Sequence, residues 1–160
     1  MMHTNYYFDM DGVLCNLDKR FYEMTGIDSN VFHTFDKSEK ERIKSDLFTY
    51  DFFRSFDPFA SMVQVLNEYR SQESSIVRIL TATGHINVEE VKRAKKDWIA
   101  EHVGDIEIIF VDKVQNKGKI LEGASGHHHL FDDRQKAIDS WVAMNKNDLS
   151  LIATATLITM

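Results

Sequence analysis

The sequence predicts an α/β fold in which a Rossmann-like parallel sheet is flanked by helices. Apolar runs of strand length alternate with helical patterns through the second half of the chain, as in parallel sheets covered on both faces. Three of these strands end in reactive side chains: Asp9 and Asp11, then Thr81, then Asp132 and Asp133. Ligands in such folds bind beyond the carboxyl ends of the strands. We therefore expect these side chains to lie together on one rim of the sheet.

The first of these strand ends carries two carboxylates one residue apart. A short apolar run, Tyr6-Tyr7-Phe8, leads into Asp9-Met10-Asp11-Gly12. Two carboxylates so close together repel each other unless a cation sits between them, so the pair favours a metal ion. Because Asp and Gly are also ordinary turn residues, a plain acidic turn after the strand is the alternative.

Composition and charge limit the range of functions. The chain has 160 residues, enough for one domain or one domain with a modest insertion, and its net charge is −6. An acidic chain disfavours extensive nucleic-acid binding, which needs clustered Lys and Arg, but it allows a small phosphorylated substrate. No leader peptide and no apolar run near membrane-spanning length is present in the sequence, so no membrane partner is expected.

The chain contains a single cysteine, Cys15. One cysteine allows no internal disulfide and fits a reducing compartment, so we expect a cytoplasmic protein. Cys15 follows the acidic loop, where it could act as a nucleophile. No Cys-His pattern surrounds it, and a small buried packing residue is the favoured interpretation.

A small helical insertion is predicted after the first strand. Residues 17–71 are assigned to this cap, and residues 1–16 and 72–160 to the α/β core. Asp57-Pro58 is expected to begin a helix, with Asp57 as its cap and Pro58 in its first position. The insertion is rich in aromatic side chains, which form a core or line a pocket. Substrate specificity is expected to lie in this insertion.

The remainder of the chain supplies the other strands and helices. Strands are predicted near residues 75–80, 106–111, 128–131 and 149–158, and helices over 88–102 and 135–145. Residues 112–121 are predicted to form a loop and a short helix. In the helix over 88–102, Val91, Ala94, Trp98 and Ile99 share the apolar side.

The strand ends together predict phosphoryl-transfer chemistry. Carboxylates on Mg²⁺, with phosphate oxygens completing its coordination, suit this reaction. One carboxylate can attack phosphorus to give an aspartyl-phosphate, and a second can protonate the leaving oxygen and later activate water. A hydroxyl, and a lysine from the segment 113–119, would hold the charged phosphate oxygens.

Four short motifs in this chain resemble, in order, the motifs of the haloacid dehalogenase (HAD) superfamily of phosphohydrolases. They are Asp9-Met10-Asp11-Gly12-Val13-Leu14, Ile79-Leu80-Thr81, Asn116-Lys117-Gly118 and Phe131-Asp132-Asp133. The resemblance spans nearly the whole chain. It implies that Asp9 is the nucleophile and Asp11 the general acid and base. Thr81 would then bind the phosphoryl group, and Lys117 would stabilise the nucleophile and the phosphate.

The same resemblance implies a Mg²⁺ cofactor and a set of substrate contacts. The ion would be held by Asp9, the backbone carbonyl of Asp11, and Asp132 with Asp133. Substrate contacts are assigned to Thr81, Ala82, Lys117 and Arg134.

A finer resemblance points to the 5′(3′)-deoxyribonucleotidase branch of the superfamily. It rests on the Asp9–Leu14 motif together with Phe52-Phe53-Arg54-Ser55-Phe56-Asp57-Pro58-Phe59. The expected activity is Mg²⁺-dependent hydrolysis of a phosphomonoester, with a (deoxy)nucleoside monophosphate as substrate. The alternatives are a phosphatase of another small metabolite or of nucleic-acid 3′-phosphate ends, and a non-catalytic binding module with the same fold.

Several assignments stay open at this point. Lys113, Lys117 and Lys119 compete for the site, with Lys117 favoured by its Asn-Lys-Gly context, and Thr81 is favoured over Thr83. Either Asp132 or Asp133 could be the direct metal ligand. Arg134 could contact a phosphate or pair with a carboxylate. The run His127–His129 is not expected to bind metal, because consecutive side chains on a strand point to opposite faces.

Overall fold

The protein is described by a computed structural model that covers residues 2–160. Its centre is a sheet of five parallel strands in the order β3-β2-β1-β4-β5. The strands are β1 (Thr4–Phe8), β2 (Ser75–Ala82), β3 (Ile108–Val111), β4 (Gly126–Asp132) and β5 (Leu151–Leu157). Helices cover both faces, so the predicted α/β, Rossmann-like fold class is confirmed.

The register of the sheet explains why the reactive strand ends meet. β1 lies at the centre between β2 and β4, and Phe8 at its end is level with Ile79 and Phe131. All three strands run in the same direction, so their carboxyl ends open on the same rim. The residues that follow Phe8, Ile79 and Phe131 are therefore neighbours across the sheet.

Seven α-helices and one 3₁₀ helix connect the strands of the described chain. They are α1 (Leu17–Thr25), α2 (Ser29–Phe32), α3 (Lys37–Leu47), α4 (Tyr50–Arg54), α5 (Ala60–Arg70), α6 (Val88–His102), the 3₁₀ helix (Val114–Leu121) and α7 (Gln135–Val142). None of the helices in residues 2–160 has the length and apolarity that a bilayer crossing needs.

The predicted helix start at Asp57-Pro58 is wrong. α5 begins at Ala60 with Phe59 as its N-cap. Pro58 instead pairs with Cys15 in an isolated antiparallel bridge, and the carbonyl of Asp57 accepts a hydrogen bond from the Asn16 N–H at 2.9 Å. The returning chain is therefore fastened to the loop after β1 before the helix begins.

The helices between β1 and β2 share one apolar core with the sheet. Phe21, Phe32, Phe52, Phe53 and Phe56 are buried in the same cluster as the residues on one face of β1 and β2. α4 packs on α6, and α5 packs on β2. The division at residues 17 and 71 stays a prediction, but the packing places α5 in the helical layer of the core.

The opposite face of the sheet has its own apolar cluster. Tyr7, Leu80 and Leu130 pack there against Trp141 of α7. Trp141 meets Tyr7 edge to face, with ring centroids 4.9 Å apart, and its indole N–H donates to the carbonyl of His128 at 3.2 Å. The central strands are therefore buried on both faces and give the site on the rim a rigid base.

Candidate active site

The loop after β1 turns sharply around the carbonyl of Met10. This oxygen accepts the backbone N–H groups of Val13, Leu14 and Cys15 at 2.8–3.2 Å. Gly12 has φ of +85°, and a Cβ there would lie 2.1 Å from Oδ2 of Asp133. A side chain is thus excluded at this position both by the backbone conformation and by the carboxylate that packs over it.

Three carboxylates of the rim form a group of the kind that holds a metal ion. One oxygen from each of Asp9, Asp132 and Asp133 lies within 4.8 Å of the others. Asp132 is buried, and it is fixed by the backbone N–H of Arg134, which donates to Oδ1 at 3.0 Å. Oδ1 of Asp133 is buried and accepts no hydrogen bond from any residue between 2 and 160. An oxygen-only donor set with one unsatisfied buried oxygen fits Mg²⁺.

The protonation equilibria of this group also favour a bound cation. Burial raises the pKa of Asp9 well above its ordinary value; Lys117 opposes the shift, and Asp132 and Asp133 add to it. Burial, followed by the charge of Asp132, raises the pKa of Asp133 to about 6. A divalent ion would stabilise the ionised form of both carboxylates and displace their protons.

Lys117 is the lysine that the structure brings to these carboxylates. Its Nζ donates to Oδ1 of Asp9 at 2.7 Å and to Oδ2 of Asp132 at 2.5 Å. Burial acts to lower the pKa of Lys117, but the two carboxylates outweigh it and leave that pKa raised. Lys113 and Lys119, the other two candidates, are exposed.

Thr81 and Asp11 line the same cavity as Asp9. This cavity has a volume of about 620 Å³, in the range of small-molecule sites. Ala82, Asp133 and Arg134 also line it. The structure therefore assembles the strand ends that the sequence singled out. Thr83 points elsewhere: its hydroxyl donates to the carbonyl of Gly84 at 2.9 Å.

One residue of the site was missed by the sequence interpretation. Lys95 of α6 is buried, and its Nζ donates to Oδ2 of Asp11 at 2.9 Å and to Oγ1 of Thr81 at 2.7 Å. A signal was available, because Lys95 follows Val91 by one helical turn and lies between Ala94 and Trp98 on the apolar face. A charged residue within an apolar stripe predicts either a buried ion pair or a functional group.

The remaining candidates occupy less central places. Cys15 is buried, and burial together with the charge of Asp11 raises the pKa of its thiol well above the ordinary value, which favours a packing role over a nucleophilic one. His128 faces Tyr7, whereas His127 and His129 both contact the hydroxyl of Thr154. The three histidines thus point to alternate faces, as expected, and none belongs to the carboxylate group on the rim.

Substitution of Gly12 tests the close packing of the loop against Asp133. In Gly12→Ala the new methyl group must displace the Asp133 carboxylate, so we expect both lower stability and weaker Mg²⁺ binding, measured by calorimetry. Gly26 is a matched control, since it also has positive φ (+71°), but a Cβ added to it would meet no atom within 4 Å. Gly26→Ala should cost only about 1 kcal/mol. Equal Mg²⁺ affinity in Gly12→Ala and the wild type would contradict the packing argument.

The effect of Mg²⁺ on thermal stability should depend on pH. The pKa of Asp133 in the folded protein is about 6, above its ordinary value of 3.8, so its proton stabilises the fold at low pH and that contribution is lost as pH rises through 6. Mg²⁺ replaces the proton, and the Tm increase it produces should be larger at about pH 7.5 than at about pH 5. Asp133→Asn should abolish most of this difference. The same increase at both pH values would count against a metal at these carboxylates.

The fold is similar to that of solved haloacid dehalogenase-like proteins. No protein-family model matches the chain, and neither does any curated protein sequence. Solved structures do match. A haloacid dehalogenase-like family protein from Streptococcus pneumoniae has a TM-score of 0.57 and 15% identity over 94% of this chain and 84% of its own.

Two further structures extend this comparison. A haloacid dehalogenase-like hydrolase from Burkholderia xenovorans has a TM-score of 0.52 and 18% identity over 98% of this chain and 82% of its own. A chain of the Pnkp1/Rnl/Hen1 complex has a TM-score of 0.58 and 15% identity over 98% of this chain. This chain spans only 46% of that one. At sequence identities of 15–18%, this structural likeness shows that the chain shares the fold of these proteins.

Proposed function

We propose that this protein is a Mg²⁺-dependent phosphomonoesterase that works through an aspartyl-phosphate on Asp9. The observation that carries the proposal is the meeting of Asp9, Asp11 and Thr81 in one cavity, with Lys117 buried against Asp9 and with Asp132 and Asp133 clustered beside it. A nucleophile, a proton-transfer group, phosphate-binding groups and a cation site are then within reach of one bound phosphate.

In the first step, a carboxylate oxygen of Asp9 attacks phosphorus and the bond to the leaving oxygen breaks. Asp11 gives its proton to that oxygen, so the alcohol departs neutral. Lys117 donates to both Asp9 and Asp132, and its positive charge offsets the repulsion between these carboxylates at the nucleophile.

In the second step, water attacks phosphorus of the aspartyl-phosphate. Asp11, now a carboxylate, takes the proton from this water, and the bond between phosphorus and Asp9 breaks to release phosphate and the free carboxylate. Mg²⁺ bound by Asp9, Asp132 and Asp133, with the backbone carbonyl of Asp11, would supply positive charge to the phosphate oxygens.

The proposed substrate is a small phosphorylated metabolite, namely a (deoxy)nucleoside monophosphate. Asn16, Leu17 and Asp18 at the start of the cap line the cavity together with Phe59. An apolar and polar wall of this kind can contact a sugar and a base. The cytoplasmic location, expected from the single cysteine, is part of the same proposal.

A panel assay tests this function. Phosphate release with Mg²⁺ is measured on an aryl phosphate, on nucleoside and deoxynucleoside monophosphates, and on sugar phosphates. The proposal expects turnover of the aryl ester and the highest kcat/KM on a nucleoside monophosphate. A higher kcat/KM on a sugar phosphate would change the proposed substrate class to sugar phosphates, and the proposed phosphomonoesterase reaction would stand. No phosphate release from any ester would support the non-catalytic binding module instead.

A cluster of cations beside the cavity favours a second candidate substrate, a phosphate ester that carries further negative charge. Lys40 and Lys44 are one turn apart on α3, Lys44 lies 5.9 Å from the ring of Phe32, and Arg134 lines the cavity. Burial lowers the pKa of Lys44, and the positive charges of Lys40 and Arg134 add to the shift.

Like charges in this position point to an anion as their partner. The pKa of His33 is also lowered, by burial and then by Arg134 and Lys40, with Asp18 opposing. Among residues 2–160, none of these four side chains forms an ion pair with a carboxylate. A nucleoside bisphosphate or a 3′-phosphate at a nucleic-acid end would place a second phosphate group among them.

The two candidates are separated by comparing a nucleoside monophosphate with a bisphosphate. If the second phosphate binds to these cations, the bisphosphate has the lower KM. Lys44→Gln should then remove this difference, while the KM of the monophosphate stays within about threefold of the wild-type value. Lys37→Gln, on the exposed side of the same helix, serves as the control. Equal KM values for both substrates would leave the monophosphate as the substrate class.

A further inference from the structure

Lys95 makes an unusual set of contacts for a lysine in the middle of a helix. It is only 1% exposed, and its Nζ donates to Oδ2 of Asp11 at 2.9 Å, to Oγ1 of Thr81 at 2.7 Å and to the carbonyl of Ala82 at 2.9 Å. An ammonium group has three hydrogens, so all three are used by the protein. Lys95 therefore has no donor left for a substrate.

The surroundings of Lys95 favour an apolar residue on packing grounds alone. Val91, Ala94, Trp98 and Ile99 on the same side of α6 are all buried, and the ring of Phe53 lies 5.8 Å from Nζ. Removing an ammonium group from water is costly unless its partners compensate. Its partners here are two residues of the candidate active site and one backbone carbonyl.

The contact with Thr81 fixes the direction of a hydrogen bond. Because an ammonium group cannot accept, the Thr81 oxygen must accept from Lys95. The hydroxyl hydrogen of Thr81 is then free to donate into the cavity that Thr81 lines. The side chain that would bind a phosphate oxygen is thus held as a donor before any substrate arrives.

The contact with Asp11 fixes a carboxylate in the same way. Oδ2 is held by Lys95, and among residues 2–160 Oδ1 accepts only from the Cys15 thiol, a weak donor, at 3.5 Å. The Asp11 side chain is 26% exposed, so Oδ1 is the oxygen available for proton exchange in the cavity.

We propose that Lys95 is a positioning residue that sets Asp11 for proton transfer to the leaving group and Thr81 for phosphate binding. The inference rests on the proposed phosphomonoesterase function and extends it to a residue of α6, outside the strand ends and the loops that follow them. The reacting groups would then be held from two sides, by Lys117 at Asp9 and by Lys95 at Asp11.

The kinetic test compares two leaving groups. An alkyl phosphate needs a proton on its leaving oxygen, whereas an activated aryl phosphate needs it much less, and general acid catalysis contributes about 10²–10⁴-fold. Lys95→Met, which keeps an unbranched apolar side chain in the site, should reduce kcat/KM, which reports the steps up to departure of the leaving group, at least about tenfold more for the alkyl ester than for the aryl ester. Lys96→Met, at an exposed position beside it, should leave the kcat/KM of both esters unchanged. Equal losses on the two esters in Lys95→Met would overturn the proposal, since a purely structural role affects both alike.

A second measurement tests the positioning role of Lys95 without an activity assay. A crystal structure of Lys95→Met should show the Asp11 and Thr81 side chains in changed orientations relative to the wild type. If both keep their positions, Lys95 does not position them and the inference fails. A wild-type protein that hydrolyses neither ester contradicts the phosphomonoesterase function itself, and this structural comparison still tests the role of Lys95.

Discussion

Asp9→Asn is expected to lower phosphate release by on the order of 10⁵-fold, because an amide cannot form the aspartyl-phosphate. The fold should persist. Lys117 can still donate to the amide oxygen, and a neutral side chain relieves the repulsion among Asp9, Asp132 and Asp133 that raises the pKa of Asp9. The free energy of unfolding should therefore change by less than about 1 kcal/mol.

The measurement is steady-state phosphate release with Mg²⁺, together with chemical denaturation of both proteins. Asp105→Asn is the matched control, since Asp105 is exposed and precedes β3 at the opposite end of the sheet. It should keep wild-type activity. Full turnover by Asp9→Asn would exclude Asp9 as the nucleophile.

Lys117→Met is expected to have the largest effect on stability. It leaves Asp9 and Asp132 buried without the cation that contacts both, and breaking a buried ion pair from one side costs about 3–5 kcal/mol. The loss should shrink as pH falls. The pKa of Asp9 is already raised in the folded protein, and it rises further without Lys117, so the folded state binds protons more readily than the unfolded chain does.

Urea denaturation at neutral and at mildly acidic pH, with a chelator present, measures this effect. Adding Mg²⁺ at neutral pH should restore part of the lost stability, because the ion supplies positive charge to the same carboxylates. Lys119→Met, two residues away and exposed, should change the free energy of unfolding by less than about 0.5 kcal/mol. A destabilisation of Lys117→Met that does not vary with pH would contradict the electrostatic account.

Local pattern predicted the sheet and most of the site because both depend on short stretches of sequence. The apolar runs before Asp9, Thr81 and Asp132 are buried strands, and parallel strands bring their carboxyl ends to one rim whatever the loops do. The three motif segments at these strand ends could therefore be placed without any knowledge of long-range packing.

Features that depend on contacts distant in sequence could not be predicted in this way. The cap of α5 was assigned to Asp57 by its residue type, but that segment is held by Cys15 and Asn16. Lys95 lies 84 residues from Asp11, and the periodicity of α6 marks it only as a charge on an apolar face. The contacts of Lys95 depend on how α6 packs beside β2, and no local sequence pattern predicts that packing.

The central claim is that Asp9 carries the phosphoryl group, and trapping that group tests it most directly. Asp11→Asn is mixed with an aryl phosphate and Mg²⁺, quenched with acid, digested and analysed by mass spectrometry. The aryl ester can react without the proton from Asp11, and the variant lacks the base that activates water, so the intermediate should accumulate. We expect the mass of one phosphoryl group on Asp9, and none in the Asp9→Asn, Asp11→Asn double variant. Phosphate release by the wild type with the phosphoryl group on another residue, or on none, would contradict the account.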